Sequence, residues 1–247
     1  MSACLNLEKP KSFFLFAGAG TGKTRAVIQA MDIFRSRYSE QFRQSGQTVA
    51  VITYTNAACD EIRRRIDFDP IFAVSTIHSF AWEQIRSYNR DISTWLRLRL
   101  AAEITELQEK KAMGRAGTKT AVERTIQIER KQKRLHYLDT VQQFTYNPNG
   151  ENIGKNSLNH AEVIALLAEF LAKKPLMRQV LIRKHPVLLI DESQDTQKDL
   201  IDAVFALQSE YPDKFCLSLF GDTMHRIFAD GKVGLEKAIP ADWEKPE

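Results

Sequence analysis

The chain has 247 residues, 43% hydrophobic and 27% charged, with a formal net charge of +4. That balance excludes a disordered or fibrous chain, and the length suits one large domain or two small ones. Mild basicity is compatible with a polyanionic partner without demonstrating one. Cys4, Cys59 and Cys216 have no CxxC or metal spacing, so a reduced, intracellular, cytoplasmic protein without disulfides or structural zinc is expected. The apolar runs last about four residues against the roughly 20 a membrane span needs, so no membrane association is expected. In chain order, five such runs read as buried strands: 13–16, 49–53, 72–75, 187–190 and 215–220. A helix is expected over 23–37, where Val27, Ile28, Met31 and Phe34 fall at helical spacing, and another over 57–66. From about Trp82 to Lys184 no strand is expected. Residues 114–119 read as a loop between two helices, and Asn159 reads as the N-cap of a helix over 161–173 that Pro175 stops.

Strand–helix alternation predicts an α/β domain, a parallel sheet with helices on both faces, interrupted by an all-helical insertion. In such a sheet, ligands sit at the C-terminal ends of the strands. The expected division is 1–85 and 185–247 for the sheet domain and 86–184 for the insertion.

Ala17-Gly18-Ala19-Gly20-Thr21-Gly22-Lys23-Thr24 follows the first strand and opens the first helix. That is the setting of a P-loop. Gly18, Gly20 and Gly22 allow the backbone to wrap a phosphate with its N–H groups turned inward, and the helix N-terminus adds partial positive charge. Lys23 would reach the outer phosphates of ATP, and the Thr24 hydroxyl would hold Mg²⁺. Ala17 stands where the strict pattern has Gly.

The fourth strand ends in Asp191-Glu192-Ser193-Gln194-Asp195. Beside a P-loop, Asp191 would hold the Mg²⁺ shell and Glu192 would orient or deprotonate the attacking water. The alternative for the acids alone is a solvated turn after a strand.

These residues resemble superfamily 1 helicases of the UvrD, Rep and PcrA type. The acidic string is similar to that family's motif II, and the P-loop beginning with Ala is similar to its variant. The resemblance implies a catalytic role for Gln194 beside Asp191, Glu192 and Lys23, and a nucleotide contact for Arg25. Thr53-Tyr54-Thr55-Asn56-Ala57-Ala58 resembles motif Ia, and Ser75-Thr76-Ile77-His78-Ser79-Phe80 the DNA-contacting motif after it. Tyr54, Thr55, Asn56, His78, Ser79 and Phe80 are thereby implied to touch single-stranded DNA, with Tyr54 and Phe80 as stacking rings. Core packing is the alternative for both rings, and a structural hydrogen bond is the alternative for His78. Residues 219–228, Leu-Phe-Gly-Asp-Thr-Met-His-Arg-Ile-Phe, resemble motif III, with Asp222 and Arg226 in place and His225 where the family usually has Gln. Asp222 and His225 are implied to sense the nucleotide.

The resemblance implies a RecA-like ATP-binding domain, a 3′→5′ DNA helicase or translocase, and single-stranded or duplex-junction DNA as partner. It also implies a second motor domain in cis downstream of Glu247, carrying the remaining motifs and an arginine finger. Weak nucleotide binding without unwinding is therefore expected of the 247 residues alone. The upstream glutamine motif that reads adenine is not visible. Between Arg97 and Arg134, eleven bases face five acids, an excess of six positive charges. This suits a duplex-facing surface, or equally a solvated helical face. A second reading of the chain is an ATP-sensing DNA-binding subunit of a nuclease or anti-phage defence complex that does not unwind. An unrelated P-loop enzyme leaves the Tyr54 and Asp222 segments unexplained.

Overall fold

The structure is a computed structural model that describes residues 5–16, 22–115, 117–221, 239–240 and 243. Its elements in chain order are β1 (Phe13–Phe16), α1 (Lys23–Ser45), β2 (Val49–Thr53), α2 (Asn56–Arg65), β3 (Phe72–Thr76), α3 (Ile77–Ile85), α4 (Asn89–Ala112), α5 (Lys119–Tyr137), α6 (His160–Lys173), α7 (Pro175–Lys184), β4 (Val187–Ile190), α8 (Lys198–Glu210) and β5 (Cys216–Gly221). A single 3₁₀ turn, Ser193–Asp195, follows β4.

The five strands form one sheet of order β1-β5-β4-β2-β3, parallel throughout. The α/β expectation holds. β2, β4 and β5 are buried at every position, which requires cover on both faces and explains why they read as unbroken apolar runs rather than alternating ones. Val49, Val51, Val74, Val187, Leu189 and Phe220 share one face with Val27, Met31 and Phe34 of α1 and Ile62 of α2 in a single apolar cluster. Phe13 and Phe220 meet edge to face at 5.6 Å. Ser12 Oγ accepts the Leu217 N–H at 3.0 Å, tying the start of β1 to β5.

α1 runs eight residues beyond the expected 37. Phe34 packs on Tyr38 at 5.1 Å and on Phe42 at 4.8 Å, so the apolar stripe continues for two further turns. Gly46 then ends the helix in the left-handed region (φ 66°), its N–H returning to the Phe42 carbonyl.

The chain divides into two compact units, residues 1–81 with 167–247, and residues 82–166. In the second unit α4 packs on α5 through Leu96, Leu100, Ile104, Ala121 and Ile128. Asn159 Oδ1 accepts the Glu162 N–H at 2.8 Å, while Glu162 Oε2 accepts the Asn159 N–H at 3.0 Å. This reciprocal pair fixes the start of α6. The same Glu162 carboxylate takes both amino groups of Arg134, at 2.6 and 2.9 Å. No described helix is long and apolar enough to cross a membrane.

Candidate nucleotide and nucleic-acid site

All five strands point the same way, so their C-terminal ends share one edge of the sheet. Along it, β1 ends at Phe16, β5 at Gly221, β4 runs into Asp191 and β2 into Tyr54. β1 and β4 are separated only by β5, about 10 Å at two strand spacings. A lysine side chain spans most of that gap.

Ala17, Gly18, Ala19, Gly20, Thr21, Asp222 and His225 lie outside the described residues. The described part of the loop begins at Gly22, whose φ of 95° is left-handed and turns the chain into α1. Lys23 is the first helical residue. Its side chain is 10% exposed, and Nζ lies 3.4 Å from Glu192 Oε2. The two motifs, 169 residues apart in sequence, therefore meet. Thr24 is half-buried and Arg25 exposed.

Glu192 sits in the left-handed region at φ 52°, which favours glycine. A non-glycine residue held there is the kind of strain that surrounding contacts must maintain. Three are present. Gln194 Nε2 donates to Glu192 Oε2 at 2.7 Å, the Glu192 N–H donates to Asp191 Oδ1 at 3.0 Å, and Lys23 supplies the charge. Asp191 is buried, and its N–H donates to the Ile52 carbonyl at 2.8 Å. Burial pushes its carboxyl up to about 6, Glu192 adds repulsion, and the Glu192 N–H and Lys23 oppose both. Glu61 on α2 adds a further small repulsion that the sequence did not suggest.

A magnesium nucleotide fits this donor set. Mg²⁺ keeps several waters and needs one or two protein oxygens beside its phosphates, and no cluster of three or more metal-binding side chains occurs among the described residues. Asp191 and Thr24 would hold it. The Thr53 and Ser193 hydroxyls, beside Asp191 and just after Glu192, are buried with no hydrogen-bond partner among the described residues. Two orphaned hydroxyls next to a buried carboxylate mark a place built for polar company.

Gly221, at the end of β5, is the contact that sequence reasoning missed. A Cβ there would stand 2.6 Å from Ser193 Oγ and 2.9 Å from Gln194 Oε1. A side chain there would have to displace the Ser193 hydroxyl and the Gln194 amide from the turn holding Glu192. Gly221→Ala is expected to cost about 1–3 kcal/mol by overpacking and to disturb the Gln194–Glu192 bond, read as a lower denaturation midpoint together with slower nucleotide turnover.

The second half of the edge carries the expected DNA residues. Thr53 and Thr76 are register partners, so Tyr54–Asn56 and His78–Ser79 follow neighbouring strand ends. Tyr54, His78 and Ser79 are half-buried, and Thr55 and Asn56 are exposed. Two hydroxyls have structural work. Thr55 Oγ1 caps α2 by accepting the Ala58 N–H at 3.1 Å, and Ser79 Oγ accepts from the Thr76 hydroxyl at 2.9 Å. Thr55→Ala should cost about 1 kcal/mol as a lost cap and Thr55→Ser very little, a difference thermal melts will resolve. Phe80 corrects an expectation. It is 5% exposed, and its ring lies 5.8 Å from that of His185, so it belongs to the core and does not face a strand of DNA. One helical turn separates it from the edge, enough to turn it inward.

His185 is buried and held by Thr48, whose Oγ1 lies 2.8 Å from Nδ1. Burial lowers its pKa to about 4, Lys184 lowers it further by repulsion, and Thr48 opposes.

The comparisons with known proteins agree with this geometry. The chain is 24% identical to the Gabija protein GajB of Bacillus cereus (strain HuB5-5), over an alignment that covers 94% of this chain and 43% of GajB. It thus spans less than half the length of that relative. A family model described as an AAA domain matches residues 2–229. The parallel sheet, the Lys23–Glu192 meeting and that match place the chain in the AAA domain family, a family of P-loop nucleotide-binding proteins.

Proposed function

We propose that this chain is the ATP- and single-stranded-DNA-binding half of a superfamily 1 DNA motor of the UvrD-like type, which hydrolyses ATP to move 3′→5′ along DNA. The observation that carries the reading is the 3.4 Å approach of Lys23 to Glu192 beside the buried Asp191. Bound Mg²⁺-ATP would supply the phosphoanhydride to be cleaved and the ion that screens its charge. Lys23 then exchanges the Glu192 carboxylate for phosphate oxygens. That exchange frees Glu192, still steered by Gln194, to position water and take its proton. Asp191 and Thr24 would hold the ion. Arg25 contacts the nucleotide, and Asp222 and His225 report its state.

Coupling to DNA has a short route. The Asp191 N–H bonds to Ile52 O, and Tyr54 follows two residues later. Tyr54, Thr55, Asn56, His78 and Ser79 would hold the strand at the ends of β2 and β3. A second motor domain in cis, downstream of Glu247, would complete the site with an arginine, which is worth about 10³–10⁵ in rate. The helical segment expected at 86–184, which overlaps the compact unit 82–166, is read as the inserted subdomain of such a motor.

A second reading has an observation of its own in the likeness to a Gabija protein. In it the chain belongs to an ATP-sensing DNA-binding subunit of a nuclease or anti-phage defence complex, and ATP changes its grip on DNA without unwinding. The test is strand displacement on a 3′-tailed duplex by the complete protein, run beside DNA-stimulated ATP hydrolysis. The motor reading expects both. Hydrolysis without displacement favours the sensing subunit, and hydrolysis that survives Lys23→Ala removes both.

A further inference from the structure

The second compact unit contains a pocket of about 670 Å³ between the C-terminal half of α5 and the segment 152–159. Sites of this volume hold small molecules, whereas the side of a duplex needs an open surface. Arg130, Lys133, Arg134 and Tyr137 reach it from α5 at spacings of three and four residues, and Ile153 and Lys155 face them. The walls are set by contacts that leave them little freedom. Arg134 is bound to both oxygens of Glu162 and also donates to the Ser157 carbonyl at 3.1 Å. Glu162, the carboxylate in the lining, is thereby neutralised.

Arg130 and Lys133 are among the basic residues of α4 and α5 that no described carboxylate holds. Arg97, Arg99, Lys110 and Lys131 are each paired with a carboxylate, Arg99 and Lys131 with the same Glu103. Arg130 and Lys133 have no acidic partner among the described residues. Between them and the segment 152–159 lies Tyr137, with the Lys155 ammonium over its ring at 5.1 Å. A cation resting on a half-buried aromatic face marks a surface that a nucleobase can take over, leaving the lysine for phosphate. Ile153, 85% exposed at the rim, offers an apolar edge to the same base.

We infer that the pocket formed by Arg130, Lys133, Tyr137, Ile153 and Lys155 holds one unpaired nucleotide, its phosphate on the cations and its base on Tyr137. This goes beyond the nucleotide and DNA contacts of the sheet, because every residue named lies in the other unit. It also replaces the duplex-facing reading of this charge with a single-stranded one. The same chemistry could come from a nucleic-acid strand or from a free mononucleotide, and a strand is favoured because Arg130, Lys133 and Lys155 are all exposed at the surface, where a continuing backbone can run past them.

Hydrogen exchange of the complete protein tests this with three probes: a ten-residue oligothymidylate, thymidine monophosphate, and a blunt duplex. The oligothymidylate is expected to protect residues 152–159. Arg130→Gln with Lys133→Gln should weaken its binding about 5- to 10-fold and flatten the salt dependence by about 1.4, the slope of two single-strand phosphate contacts. Tyr137→Leu should remove the protection while α5 keeps its own slow exchange, which separates lost binding from lost folding. Protection by the monophosphate but not the oligonucleotide, by the duplex alone, or by none of the three overturns the inference. Tyr54→Ala should leave protection of 152–159 in place, so failure at the sheet edge and failure at this pocket are told apart.

Discussion

Glu192→Gln in the complete protein is expected to lower ATP turnover by about 10²–10⁴, the usual contribution of a positioned general base, while nucleotide affinity stays the same or rises. The rise is the informative part. The Lys23 ammonium lies 3.4 Å from the Glu192 carboxylate, and phosphate must compete with that carboxylate for it. Removing the carboxylate's charge removes the competitor. Glu192 is 37% exposed, so solvent screens the pair to at most about 1 kcal/mol, and the gain in affinity is at most roughly fivefold. Lys23→Ala should do the opposite, losing affinity and turnover together. Gln194→Ala should fall between, because the carboxylate survives but loses its 2.7 Å tether and its reason to stay in a left-handed backbone. A fluorescent ATP analogue for binding and phosphate release for turnover separate the three patterns. Equal losses of affinity in Glu192→Gln and Lys23→Ala would count against the exchange of partners.

The second large effect is on stability in the absence of nucleotide and magnesium, where two buried groups act in opposite directions between pH 4 and 6.5. Asp191 titrates near 6 in the fold against 3.8 ordinarily, so the folded state binds the extra proton and stability falls as pH rises through that window. His185 titrates near 4 against 6.5, so the unfolded state binds the extra proton and stability rises with pH through nearly the same window. Tenfold in proton affinity is about 1.4 kcal/mol, so each contribution is roughly 3 kcal/mol. The parent protein should therefore show a shallow profile here as far as these two groups are concerned. Asp191→Asn should expose the histidine, giving a protein stabilised near pH 7 but losing roughly 3 kcal/mol on acidification from 6.5 to 4. His185→Asn, which can keep a bond to Thr48, should expose the aspartate and give stability that grows as pH falls from 6 to 4. Denaturant melts across pH measure the slopes, which do not depend on the packing cost of either substitution. Parallel slopes in both variants would contradict the assignment.

The contrast between those two residues shows what a sequence reading reaches. Asp191 stood out because a short apolar run ended in acids and a glycine-rich loop preceded a helix elsewhere. Both are local patterns, and the strands at 13–16, 49–53 and 187–190 were legible for the same reason: strands buried on both faces are unbroken apolar runs. His185 carried no such pattern, since its neutrality comes from burial by the whole fold, and its ring partner Thr48 is 137 residues away. Gly221 was visible only as one residue of a longer string, and its need for glycine comes from Ser193 and Gln194 across the sheet. Phe80 was misplaced because a strand end and a helix start lie within five residues there. A stacking ring and a core ring have the same local sequence, and only the direction of the helix decides between them. The extent of α1 was underestimated because Ser36, Arg37 and Ser39 dilute a stripe that Tyr38 and Phe42 carry on.

The central claim is that Lys23, Thr24, Asp191 and Glu192 serve one magnesium nucleotide. The most direct measurement is the affinity of the complete protein for ATP with and without Mg²⁺, in the parent and in Thr24→Ala and Asp191→Asn. The parent should bind more tightly with the ion, and both variants should lose that advantage while keeping metal-free binding. Variants whose response to Mg²⁺ matches the parent's would contradict a shared site.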